Sequence, residues 1–117
     1  MDNAEVAEVV RTARAVLRDG AGWVQGTYGG FDLVNGGEPV YCVMGALRVA
    51  VGGDPWTVTK AAEPTYDAAR LAVWEVVHEQ YPDYLQSVMT WNDRPGRTWE
   101  EVAAVLDKAI ARLEEAV

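Results

Sequence analysis

The stretch Tyr41–Val51, YCVMGALRVAV, holds one charge, Arg48, among its eleven residues and is closed by Gly52-Gly53. Such a run reads as a short helix, ~15 Å long, surrounded by the rest of the chain rather than lying on its surface. The remaining elements must then be amphipathic, with their apolar sides wrapped around it. Glycine inside a helix costs roughly 1 kcal/mol relative to alanine. Gly45, beside Ala46 in mid-run, therefore predicts a neighbour that approaches too closely for a side chain.

The wrapping elements can be read from periodicity. From about Asp2 to Asp19, Val6, Val9, Val10, Ala13, Val16 and Leu17 fall on one helical stripe, with Asp2 or Asn3 as cap and Gly20 as stop. Arg11, Arg14 and Arg18 share the outer, solvated face. Pro64 and Thr65 open a helix that runs to about Tyr81 and ends before Pro82, with Tyr66, Ala69, Val73, Val76 and Val77 inward. Asp67 and Arg70 are spaced to pair, and Trp74 and His78 share a flank. A short turn over Asp83–Thr90 puts Leu85, Val88 and Met89 inward, and Trp91-Asn92-Asp93 and Arg94-Pro95-Gly96 follow as turns. Thr98 and Glu101 form a capping box for a last helix whose inner side is Val102, Val105, Leu106, Ala109, Ile110 and Leu113.

Between Ala21 and Pro39 the helical period vanishes and glycine dominates. WVQGTY and FDLV are predicted to pair as a hairpin across Gly29-Gly30, with Asn35-Gly36 as a second turn. A lone hairpin is marginal in water, so Trp23, Tyr28, Phe31 and Leu33 are expected to anchor it on the helices. The predicted fold is mainly α: a compact bundle of four to five helices around the buried central one, with a small β-hairpin or glycine-rich loop, in one domain over residues 1–117.

Composition narrows the function classes. The net charge of −8 repels phosphate backbones, which disfavours direct nucleic-acid binding. No stretch is long and apolar enough to span a membrane, and the start carries acids instead of a cationic leader, so the expectation is a soluble cytoplasmic protein. A single cysteine excludes an internal disulfide. The glycines match neither a phosphate loop nor a dinucleotide turn. One Cys and one His cannot supply a structural zinc set. No metal or cofactor is expected.

Cys42, His78 and Asn92 occur in the chain order of a thiol nucleophile, its base and an orienting amide, and Cys42 stands near a helix N-terminus, where the dipole favours thiolate. A cysteine-dependent hydrolase is thus one reading. Against it, His78 falls in mid-helix.

GWVQG at Gly22–Gly26, YCVMGAL at Tyr41–Leu47 and WNDRPGRTWEEV at Trp91–Val102 together resemble a family of small proteins of actinobacteria and their phages that carries no assigned activity. The resemblance draws Trp23, Gly26, Cys42, Gly45, Ala46, Trp91, Asn92 and Asp93 into one unit. Structurally, Asn92 and Asp93 would bond backbone and hold the turn into the last helix while Trp91 packs on Gly45-Ala46. Functionally, Trp23, Gln25, Cys42 and Trp91 would line a small-ligand pocket with Asn92 and Asp93 aimed into it. Five tryptophans are many for this length, and an exposed one is a natural protein anchor. The leading expectation is an interaction module that binds a host or sister protein through an aromatic patch.

Overall fold

A computed structural model describes residues 2–84 and 86–115. Its elements are α1 (Asn3–Val16), β1 (Gly29–Asp32), β2 (Glu38–Tyr41), α2 (Val43–Ala50), α3 (Glu63–Gln80), α4 (Val88–Asn92) and α5 (Trp99–Glu115). The fold is mainly α with a small antiparallel hairpin, as the periodicity predicts.

The central run is indeed enclosed. Cys42 through Leu47 are buried, and α1, α3 and α4 pack around α2. The helix is shorter than predicted at its start, because Tyr41 belongs to β2 and Cys42 is the cap. Arg48 is accommodated without a carboxylate: it donates to the Pro55 carbonyl at 3.0 Å, and its guanidinium lies 4.4 Å from the Tyr28 ring centre and 5.4 Å from that of Tyr66. Cation–π contact and a carbonyl acceptor replace part of the hydration that this half-buried charge gives up.

The neighbour that forbids a side chain at Gly45 is backbone. A Cβ built there would stand 1.8 Å from the Tyr28 carbonyl oxygen, so the glycine-rich segment crosses directly over α2. At Gly45 the nearest atoms belong to Tyr28 and Pro55 rather than to the expected Trp91 indole. A main-chain crossing leaves no residue-type signature, whereas a tryptophan attracts attention in any sequence.

α1 begins at the Asp2 cap, whose carboxylate accepts the Glu5 N–H at 2.9 Å, and it buries Val6, Ala7, Val10 and Ala13. It ends earlier than predicted. Residues 18–20 form a 3-10 turn in which Arg18 and Asp19 take positive φ (48° and 52°) before Gly20 (97°). Gly20 is also covered by the Trp99 ring, 2.7 Å from where its Cβ would be. The arginines of α1 do more than meet solvent. Arg11 pairs with Glu8 and Glu114, Arg14 with Asp107 at 2.6 Å, and Arg18 donates to the Pro39 carbonyl. Arg11 and Arg14 join α1 to α5, its most extensive neighbour, because two amphipathic helices that pack side by side bring their flanks as well as their stripes together, whereas Arg18 ties the following turn to β2.

α3 buries the five residues that its pattern selects, and Asp67 meets Arg70 at 3.6 Å. α5 opens on the capping box, with Glu101 Oε1 accepting the Thr98 N–H at 2.9 Å and Thr98 Oγ1 accepting the Glu101 N–H at 3.2 Å. The predicted short turn is displaced toward the C-terminus: α4 starts after the Ser87 cap and includes Trp91 and Asn92, which the sequence reading had placed in a turn. Val88 is buried as expected, Met89 is half-buried, and Leu85 lies outside the described residues.

The hairpin has a different register from the predicted one. Gly29 to Asp32 pair with Tyr41 to Glu38, so Gly29-Gly30 is strand and the reversal is at Leu33–Gly37. Asp32 builds this reversal by accepting the N–H groups of Val34 and Asn35 and the Asn35 side-chain amide. Trp23 adds a parallel bridge to Tyr41 on the outer side of β2. Phe31 and Leu33 consequently project beyond the helices that they were expected to grip, and only Trp23 and Tyr28 of the four anchors pack on the core.

Candidate functional site

A buried amide organises the residues that the motif pattern singles out. Asn92 is fully buried; its Oδ1 accepts the Trp23 indole N–H at 2.8 Å and the Val43 backbone N–H at 3.1 Å. Its Nδ2 donates to the Val24 carbonyl at 3.1 Å and to Asp93 Oδ1 at 3.0 Å. All four hydrogen-bonding positions of the amide are therefore used inside the protein. Asp93 Oδ1 also accepts the Gly26 N–H at 2.9 Å, and Gln25 donates to the carbonyls of Asn92 and Arg94 at 2.9 and 2.8 Å.

The structure thus brings together Trp23, Gln25, Asn92 and Asp93, and joins them to the first residue of α2. This cluster fastens segment 22–26, whose backbone otherwise pairs only with Tyr41 of β2 and the turn after α1, onto the end of α4. It also supplies an acceptor for a helix N–H that lacks an intrahelical partner. The turn into α5 is held by other groups: Arg97 donates from Nε to the Trp91 carbonyl at 3.0 Å, and the Thr98–Glu101 box completes it.

Cys42 lies next to this cluster but is enclosed. Its Sγ accepts the Gly45 N–H at 3.4 Å and is 3.6 Å from Met89 Sδ. Burial pushes the thiol above its ordinary pKa, and the N–H groups of Gly45 and Met44, which pull the other way, do not reverse this. Helix-start geometry activates a thiol only where the site is wet or electropositive, and here desolvation outweighs it. His78 is on the exposed side of α3, stacked on Trp74 with ring centres 5.7 Å apart as their spacing predicts. It is not among the hydrogen-bond partners of Cys42 or Asn92.

Trp91 is fully buried. The edge of the Tyr81 ring meets it at 5.6 Å, and the Arg97 guanidinium lies 4.4 Å from its ring centre. Its indole N–H has no acceptor among the described residues. Arg97 is the residue that sequence reasoning overlooked. It appears in the sequence as half of a basic pair in a loop, with nothing to mark it as a core residue.

A second cluster lies on the hairpin. Phe31, Leu33, Val34 and Trp56 are 68%, 86%, 90% and 58% exposed. The β-sheet face shared by Gly29, Phe31, Pro39 and Tyr41 is covered by Pro55 at its Gly29 end. Beyond that point it is an open apolar groove of about 230 Å³ between Phe31, Pro39, Tyr41, Pro55 and Trp56. Trp56 is held outward by a tight turn in which Asp54 accepts the N–H groups of Trp56 and Thr57 at 2.9 and 2.8 Å. Among the described residues there is no group of three or more potential His, Cys, Asp or Glu metal ligands, and no helix is long and apolar enough to cross a membrane.

No curated protein matches the chain, nor does any solved structure. A family model does, over residues 1–112, and the chain belongs to that family, described as a family of unknown function (DUF6197).

Proposed function

We propose that the protein is an interaction module whose docking surface is the open face and tip of the β1–β2 hairpin together with Trp56. The observation that carries this reading is the concentration of large exposed apolar side chains there. Among the described residues, four of the five such side chains, Phe31, Leu33, Val34 and Trp56, belong to the hairpin or the loop beside it, while the helical stripes are buried. Contiguous apolar surface of this kind characterises contact sites, and tryptophan is prominent among residues that dominate binding energy.

Asp54 opens the turn that carries Trp56, Asp32 and Glu38 pair at the far end of the hairpin, and the whole chain carries −8, with Arg18 and Arg48 tied to the Pro39 and Pro55 carbonyls. The complementary partner presents an apolar anchor rimmed by lysine or arginine. The motif resemblance supports an actinobacterial or phage origin, and the partner in this reading is a host or sister protein. Thiol hydrolysis fits the site less well, because Cys42 is enclosed and its burial favours the neutral thiol.

The test is affinity capture from lysate of the source cells with the wild-type chain and with a Phe31→Ser, Trp56→Ser double variant as baits. Both side chains are exposed, so the variant should retain wild-type stability and lose the captured partner. Equal capture by the two baits would refute the assignment.

A further inference from the structure

Away from the hairpin, the end of α3, the loop after α4 and the start of α5 line an open surface cavity of about 480 Å³, within the range of small-molecule sites. Its walls include Gln80, Tyr81, Tyr84, Arg94, Arg97 and Glu101, none of which lines the apolar groove.

Arg97 gives this cavity its chemistry. The residue is 9% exposed, and its guanidinium lies 4.4 Å from the Trp91 ring centre and 4.7 Å from that of Tyr81. Its Nε donates to the Trp91 carbonyl and its Nη1 to Glu101 Oε2 at 3.2 Å. Its Nη2 donates to no acceptor among the described residues. A guanidinium has five N–H groups in a fixed plane, so fixing Nε and Nη1 also fixes the direction in which Nη2 points. Glu101 is only a partial counter-charge: the same Oε2 also accepts the Tyr81 hydroxyl at 3.4 Å, and its Oε1 is occupied by Thr98. A desolvated cation with spare donors is stabilised by an oxyanion that reaches it. Arg94, exposed on the rim, provides a second cation.

The other charges narrow the class. Asp83 and Glu101 lie in the same lining as the two arginines, so the walls are close to neutral, and the chain as a whole is strongly acidic. A phosphate dianion meets repulsion from both, whereas a single carboxylate is balanced by the arginines. The phenol rings of Tyr81 and Tyr84 offer flat apolar surface beside them. Burial raises both hydroxyls above their usual pKa, and that of Tyr81 is already donated to Glu101.

We propose that this cavity binds a small monocarboxylate with a planar apolar body, its carboxylate taken by Arg97 Nη2 and Arg94 and its body lying against Tyr84. The test is ¹H–¹⁵N NMR titration of the full chain with 3-phenylpropanoate, its amide and inorganic phosphate. The carboxylate should give saturable shifts at the Arg97 Nε–H and at Tyr84. The amide should bind about tenfold or more weakly, as expected when a charge-assisted hydrogen bond becomes a neutral one. Arg94→Gln should weaken the carboxylate about fivefold with the rest of the spectrum unchanged. Arg97→Lys removes the fork directly, and Arg94→Gln carries the test if that variant does not fold. Absence of saturable shifts, equal binding of acid and amide, or phosphate binding as tight as the carboxylate would each overturn the proposal.

Discussion

Replacing Asn92 tests whether the buried amide holds segment 22–26 to the helices. Asn92→Ala leaves the Trp23 indole N–H, the Val43 N–H and the Val24 carbonyl without their partner, and removes one of the contacts to Asp93. A stranded buried polar group costs about 1–3 kcal/mol. Trp23 and Val24 are half-buried and can recover some water while the Val43 N–H stays buried, so the loss should be about 2–4 kcal/mol. Domains have only about 5–15 kcal/mol of stability in total. The melting temperature should accordingly fall by about 10–20 °C.

Asn92→Asp makes the sharper test, because shape is retained. One carboxyl oxygen can still accept from Trp23 and Val43, but the other replaces Nδ2 and faces the Val24 carbonyl and Asp93 Oδ1, which are acceptors. The introduced acid must hold a proton to restore the missing donor, so its pKa in the folded state lies above the unfolded value of about 3.9. Between the two values the folded protein binds more protons than the unfolded one. Stability relative to wild type is therefore highest below about pH 4, where the single O–H restores one of the two donated bonds, and falls by up to about 1.4 kcal/mol per pH unit as pH rises toward the folded pKa. Urea denaturation followed by tryptophan fluorescence at pH 4 and pH 7, always as the difference from wild type, measures this. A difference independent of pH, or an Asn92→Ala cost below about 1 kcal/mol, would refute the hub assignment.

Other outcomes follow from separate features. Gly45→Ala should prevent folding or cost more than about 3 kcal/mol by circular dichroism melting, since its Cβ would overlap the Tyr28 carbonyl; ordinary helix propensity alone would make the change stabilising. Cys42 should react with a thiol reagent at neutral pH only as fast as the chain unfolds, and rapid labelling of the folded protein would contradict its enclosure. Asp54 is held below the usual carboxylate range by the Trp56 N–H and then by Thr57, and Glu101 by the Thr98 N–H ahead of Arg97. Folded pKa values below the unfolded ones stabilise above about pH 4 and are lost as pH falls through the folded values; calorimetry should show a melting temperature that declines on acidification, less steeply in Glu101→Gln.

Elements governed by local period or by a cap were legible in the sequence. The inner face of α3, the capping box of α5 and the enclosure of the 42–47 run all rest on side-chain identity at fixed spacing, which a sequence displays directly. The hairpin register was not legible, because two glycine pairs both satisfy turn chemistry and only the Asp32 bonds to residues 34 and 35 select between them. The motif residues of the candidate site do meet in space, but the contacts through Val24, Gly26 and Val43 are made by backbone, whose position no residue type announces. Arg97 was hidden for a related reason: its burial depends on Tyr81 and Trp91, which arrive from two different elements.

The attachment of α1 to α5 makes closure of this fold a long-range event. Val6, Val10 and Ala13 belong to one element, yet the surface that covers them most comes from another far along the chain. Until the two meet, the apolar stripe of α1 stays open to whatever is nearby, which slows folding and invites a chaperone.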